Sequence, residues 1–137
     1  MCGIFGWAPS EKFPISDSSL IRKIEKELEH RGPDDHGFAI FDAKNCLLEK
    51  SLSFNFQQPR LVLGQTRLSI IDLSEAGHQP MHSFDKRYTI VLNGEIYNYK
   101  ELKEFLVGKG YPFSSDSDTE VLLYGFDFWG NKVIDML

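Results

Sequence analysis

Cys2 follows directly on Met1, and a cysteine at that position can bring two reactive groups together on one residue. Removal of Met1 leaves Cys2 with both a thiol and a free α-amine. The thiol has an ordinary pKa of about 8.5 and the amine one of about 7.7–8.0. Near neutral pH the amine is partly unprotonated and takes the thiol proton, directly or through a water, so no histidine is required. The thiolate then attacks a carbonyl carbon and forms a thioester. Gly3, which has no Cβ, lets backbone and substrate come close. The competing reading is an inert thiol ahead of a plain apolar strand, Ile4-Phe5-Gly6-Trp7-Ala8.

Three further positions could serve such a nucleophile, and each has a plainer reading. Asn93-Gly94-Glu95 ends an apolar run. Asn-Gly is the favoured hairpin pair, but the Asn93 amide and the Gly94 N–H could also form an oxyanion hole, each donor worth roughly 10²–10³ in rate. Arg67, next to Leu68 and Ile70, is either a solvated edge residue or a fork for a carboxylate. Asp118 stands where a helix begins, where an acid complements the dipole; it could equally hold a substrate ammonium. Other constellations fail. Pro80 between His78 and His82 rules out a helical metal pair, and no His-Glu-x-x-His occurs. Gly108-Lys109-Gly110 lacks the spacing of a phosphate loop, and the acids around Asp116 lack that of a phosphatase motif. A Cys–His dyad stays open, with no histidine singled out.

The elements that must position these residues follow from periodicity. Residues 3–8 read as a buried strand and 9–14 as a loop. Asp17, Ser18 and Ser19 offer caps for a helix with Leu20, Ile24 and Leu28 at helical spacing and Ile21 beside them. Gly32 and Pro33 stop it near His30, and residues 31–35 form a polar turn. Strands are expected at 38–41 and 47–52, joined by a turn at Lys44-Asn45, with 54–59 irregular. A further strand starts at Leu61 and continues through Arg67 to Ile71; 74–80 is a loop, and 88–92 is another strand. Asn98 with Glu101, and Ser117 with Glu120, read as capping boxes. They open helices with apolar faces at Leu102, Phe105 and Leu106, and at Val121, Leu122, Tyr124 and Phe128. Strands led by short turns and flanked by helices imply mostly antiparallel sheet packed on helices.

The 137 residues suit one domain. No apolar run reaches the length of a membrane span, and no secretory leader is evident. A net charge of −5 argues against a nucleic-acid surface. Two cysteines make no disulfide framework, which fits a reducing cytosol, with Cys46 read as a buried structural thiol.

The motifs M-C-G-I-F-G, H-R-G-P-D, R-L-S-I-I-D-L, G-H-Q-P-M, N-G-E-I-Y-N-Y and S-D-S-D-T-E-V occur in that order from Met1 to Val121. Together they resemble the class II glutamine amidotransferase domain, most of all the N-terminal glutaminase domain of glutamine-hydrolysing asparagine synthetases, over nearly the whole chain. The resemblance implies an α+β N-terminal-nucleophile hydrolase fold, a four-layer αββα sandwich of two antiparallel sheets between helices. It implies that Cys2 attacks the side-chain amide of L-glutamine with its own amine as base, and that Asn93 and Gly94 form the oxyanion hole. Arg67 matches the holder of the glutamine α-carboxylate, with Leu68, Ser69, Ile70 and Ile71 as the backbone beside it. Glu95 and Asp118 match positions near the α-amino group. Residues 30–34 match a loop beside the site.

The same resemblance implies no metal or cofactor for this domain. ATP and magnesium belong to a synthetase domain that would take the ammonia, and nothing in 1–137 resembles one. Gln65 departs from the family, where many relatives carry a histidine. Relatives also continue with further strands, so the chain is expected to be truncated at its C-terminus. Three functions compete: the glutaminase half of an asparagine synthetase-like enzyme, an ammonia source for a sugar or other acid acceptor, and a non-catalytic assembly domain. A homodimer is left open by the sequence.

Overall fold

A computed structural model describes residues 1–8, 18–42, 46–49 and 59–137. Among the described residues, four strands form one antiparallel sheet in the order β1-β4-β2-β3: β1 Gly3–Trp7, β2 Asp35–Phe41, β3 Cys46–Glu49 and β4 Leu61–Arg67. A second, two-stranded antiparallel sheet pairs β5 Met81–His82 with β6 Thr89–Ile90. Helix α1 (Ser18–Leu28) lies against β1 and β4, whereas α3 (Asp118–Trp129) packs on α2 (Tyr99–Gly108) and touches β5 and β6. The two-antiparallel-sheet, mixed α and β expectation holds at this level.

Among the described residues two apolar cores result. Ile21 of α1 meets Phe38, Ile40 and Val62, with Phe5 partly buried beside them. Phe38 and Ile40 share a face of β2 because strand side chains alternate. The other core gathers Ile96, Leu102, Leu106, Val121 and Tyr124 between the later helices.

The register decides which side chains share a face. Gly3 pairs with Thr66, and Asp35 with Arg67. Thr66 faces α1, where its hydroxyl donates to the Leu28 carbonyl at 2.9 Å. Gln65 and Arg67 therefore face the opposite side, and Cys2, one residue before β1, falls on that side too. Gly3 is required here by packing rather than by substrate: a Cβ would lie 2.6 Å from the Thr66 hydroxyl and 2.9 Å from Leu28 Cβ.

Several expectations are corrected. The strand through Arg67 to Ile71 ends at Arg67, because the chain leaves the sheet to curl around that side chain; Ile70 is exposed. The strand expected at 88–92 is only Thr89–Ile90. The polar turn is shorter than expected, since β2 already begins at Asp35. β1 is an edge strand in the described sheet, with Ile4 exposed. Asn98 makes no side-chain cap; its amide donates to the Met136 carbonyl at 2.7 Å instead. Ser117 does cap α3, accepting from the Thr119 N–H at 3.1 Å. Glu120 does not complete the box: its carboxylate accepts the N–H and hydroxyl groups of Ser114 and Ser115. Phe105 and Phe128 are exposed, Phe105 stacking on Trp129 at 5.3 Å, while Leu123 is buried. The readings of 9–17, 43–45 and 50–58, and of the Cys46 side chain, lie outside the described residues.

Candidate active site

A cavity of about 350 Å³ opens between the C-terminal end of β4, the segment after β6 and the start of α3. Cys2, Arg67, Leu68, Ile70, Ile71, Asn93, Gly94, Glu95 and Asp118 all line it. Of the residues singled out in the sequence, Ser69 is not on the wall; its N–H donates to Asp34 Oδ2 at 2.8 Å.

Cys2 is half-buried, its thiol resting on the Leu68 backbone: the Leu68 N–H approaches Sγ at 3.4 Å and the Leu68 carbonyl lies at 3.7 Å. The Arg31 Nε–H donates to the Cys2 carbonyl at 3.1 Å, so the 30–34 turn holds the Cys2 peptide. That turn is fastened to β4. Gly32 lies so close that a Cβ would meet the Thr66 carbonyl at 2.4 Å, and the Asp34 N–H donates to the Arg67 carbonyl at 3.0 Å. Met1 is 76% exposed at the cavity edge, open to an aminopeptidase.

Arg67 is no edge residue: β4 lies inside the sheet, and the side chain is 8% exposed. Its guanidinium donates to the carbonyls of Asp72 and Ser74, so the 68–77 loop wraps around it. Asp72 holds the loop's shape. Its Oδ1 accepts the Ser74 N–H and hydroxyl at 2.8 and 2.6 Å, and its Oδ2 accepts the Asp116 N–H at 3.0 Å. The Ser74 hydroxyl foremost keeps this carboxyl below its ordinary range, against the opposing effect of burial.

Asp118 is 6% exposed at the first position of α3, where the helix dipole favours its charge. Its Oδ2 accepts the Ile96 N–H at 2.9 Å. Among the described residues neither Arg67 nor Asp118 enters an ion pair. The Arg67 charge also acts on the Asp72 carboxylate. But among the described residues no carboxylate lies within salt-bridge distance of Arg67 and no cation within that of Asp118, so a buried cation and a buried anion in one cavity complement a zwitterion.

Asn93 and Gly94 are exposed to the cavity and form no hairpin, because β6 has ended and α2 follows. The hairpin reading falls, and both residues lie on the cavity wall. Two glutamines that periodicity did not single out for the site anchor this segment. Gln65 Nε2 donates to the Leu92 carbonyl, and the Leu92 N–H donates to Gln79 Oε1, both at 2.7 Å. Gln79 falls inside the G-H-Q-P-M motif, which marks the position but not its role; Asp72 was findable, since Asp-x-Ser is a side-chain turn signature. Tyr97, 92% exposed on the cavity wall, was also missed. His78 pairs with Asp35 at 2.6 Å, and the described residues include no group of three metal-ligand side chains. No described helix is long and apolar enough to cross a membrane.

Sequence comparison places the chain among known proteins. The glutamine amidotransferase domain model covers residues 1–137. The chain is 41% identical over 127 residues to asparagine synthetase [glutamine-hydrolyzing] 1 of Bacillus subtilis, covering 90% of this chain and 17% of that protein. It is 32% identical over 139 residues to asparagine synthetase [glutamine-hydrolyzing] 3 of the same organism, covering 100% of this chain and 20% of that one. It is 33% identical over 137 residues to asparagine synthetase [glutamine-hydrolyzing] of Zea mays, with the same shares of 100% and 20%. The chain thus spans about a fifth of the length of these relatives. With the domain model matched from end to end, the chain belongs to the glutamine amidotransferase domain family.

Proposed function

We propose that this chain hydrolyses the side-chain amide of L-glutamine to glutamate and ammonia, as the glutaminase part of an asparagine synthetase-like enzyme in the cytosol. The observation that carries it is that Arg67 and Asp118, neither in a salt bridge among the described residues, line the cavity that also holds the Cys2 thiol. Arg67 takes the α-carboxylate through the guanidinium N–H groups not engaged by the 68–77 loop. Asp118, with Glu95 beside it, takes the α-ammonium. The side-chain amide then extends toward Cys2.

After Met1 is removed, the Cys2 amine accepts the thiol proton and Sγ bonds to the amide carbon. The oxygen takes the negative charge, stabilised by the Asn93 amide and the Gly94 N–H. The proton held on the amine passes to the amide nitrogen, the carbon–nitrogen bond breaks, and ammonia leaves. Water, deprotonated by the same amine, attacks the thioester and releases glutamate and the free thiol. These steps call on no metal or cofactor. The two antiparallel sheets, with α1 against one and α3 against the other, support a four-layer N-terminal-nucleophile hydrolase architecture. The extra length of the relatives supports a synthetase domain as the ammonia's destination.

Labelling with a glutamine-analogue diazoketone tests the reading. Intact and peptide mass spectra should show loss of Met1 and one adduct on Cys2, and excess glutamine should block it. Activity should fall below about pH 7 as the terminal amine protonates. A chain that keeps Met1 and takes no adduct would be a non-catalytic domain.

A further inference from the structure

We infer that Gln65 is a positioning residue for the oxyanion donors, acting with Gln79 as a two-sided clamp on the Leu92 backbone. The inference rests on the glutaminase reading and adds to it how the catalytic geometry is held. Leu92 lies two residues past the end of β6, so no sheet ladder fixes its peptide groups. Side chains do so instead. Gln65 donates to the Leu92 carbonyl and Gln79 accepts from its N–H, both at 2.7 Å. The Leu92 carbonyl belongs to the peptide that carries the Asn93 nitrogen, and the next peptide supplies the Gly94 N–H. Fixing the first plane aims both donors.

Each clamp residue also reaches a substrate-binding group. Gln65 stands two residues before Arg67 on the same face of β4, so one rigid strand carries the carboxylate holder and half of the clamp. Gln79 Nε2 donates to the Thr119 hydroxyl at 3.0 Å, next in sequence to Asp118. Hydrogen bonds from Gln65 through Leu92 and Gln79 to Thr119 thus tie β4, which carries Arg67, the segments at Leu92 and Gln79, and the start of α3, which carries Asp118, to one geometry. Gln65 is 1% exposed, and its Oε1 is buried without a hydrogen-bond partner among the described residues. A buried acceptor left open is unfavourable, so stability alone does not account for an amide at this position. A histidine there could donate one ring N–H to the same carbonyl, whereas leucine could donate nothing.

The test measures glutaminase kinetics of the full-length gene product carrying Gln65→Leu, Gln65→His or Gln79→Leu, each checked for cooperative thermal unfolding. Loose oxyanion donors act on the transition state, so Gln65→Leu should lower kcat about 10- to 100-fold and leave KM within about threefold. Gln65→His should recover most of the kcat. A purely structural glutamine would not give this split or this rescue. Wild-type kcat in a folded Gln65→Leu protein, a loss carried by KM, or no recovery with histidine overturns the inference. Should Gln65→Leu not fold, Gln79→Leu is judged by the same split, and an unchanged kcat there overturns it equally. No turnover by the unaltered protein sinks the glutaminase reading itself; turnover with a wild-type-like Gln65→Leu sinks only the clamp.

Discussion

Arg67 and Asp118 each do two things, and the substitutions that separate those roles are isosteric or charge-conserving ones. Asp118 accepts the Ile96 N–H and also offers its charge to the cavity. Asparagine keeps an acceptor for Ile96 but removes the charge. Asp118→Asn should therefore fold normally and raise KM for glutamine roughly 10- to 100-fold, the range expected for one charge-assisted hydrogen bond. Steady-state kinetics beside a thermal melt would show it; an unchanged KM would detach Asp118 from substrate. Arg67→Lys keeps the charge and loses the planar fork that holds the Asp72 and Ser74 carbonyls at the cavity wall. A comparable rise in KM is expected, with the added sign of faster proteolysis in the 68–77 loop. Cleavage unchanged from the parent would show that the loop does not depend on the guanidinium.

The loop and turn elements around Cys2 are held by polar contacts, which makes them sensitive to acid and to small steric changes. Asp72 has a folded-state pKa below its ordinary value of 3.8, first because of the Ser74 hydroxyl. A carboxylate depressed in this way stabilises the fold above its unfolded pKa, and the benefit is lost as pH falls through the folded value. Below about pH 4 the 68–77 loop should loosen, and Asp72→Asn should flatten that part of the stability profile in denaturant titrations. A variant profile that keeps the wild-type acid limb would place the sensitive group elsewhere. Gly32→Ala drives a Cβ onto the Thr66 and Arg67 backbone and should cost about 1–3 kcal/mol by chemical denaturation. These same elements show what a sequence makes readable. β2, β4 and α1 were legible because burial on a defined face writes a period into the chain. The 67–71 run was misread because Leu68, Ile70 and Ile71 have strand-like composition yet line a cavity. Asn98 was misread because a capping side chain took a distant carbonyl instead, and Gln79 carries no periodic signal at all. Cys2, Arg67, Asn93-Gly94 and Asp118 came from ordered motifs, whereas the Leu92 clamp needed coordinates.

At the scale of the molecule, the site is the polar seam between two apolar cores. One core binds α1 to the four-stranded sheet and carries Arg67; the other binds α2 to α3 and carries Asp118. Across the seam run polar links: Asp72 to the Asp116 N–H, and Gln79 to Thr119. A glutamine bridging Arg67 and Asp118 would add a further link and stabilise both halves together. Leu106, fully buried between α2 and α3, offers a way to test this. Leu106→Ala should cost about 2–5 kcal/mol through the cavity it leaves. Damage confined to the helical core weakens the hold on Asp118 while sparing the sheet. Glutamate, which has the zwitterionic end of the substrate and is not consumed, then serves as the probe. At about 100 times its dissociation constant it should return about 2.7 kcal/mol to the variant, read as a rise in melting temperature. In the double variant Leu106→Ala with Asp118→Asn, the same glutamate concentration should return much less, because one anchor of the bridge is gone. Equal recovery in the single and double variants would mean that the ligand rests on the sheet side alone, and the seam would then be a crevice beside the binding site instead of the site itself.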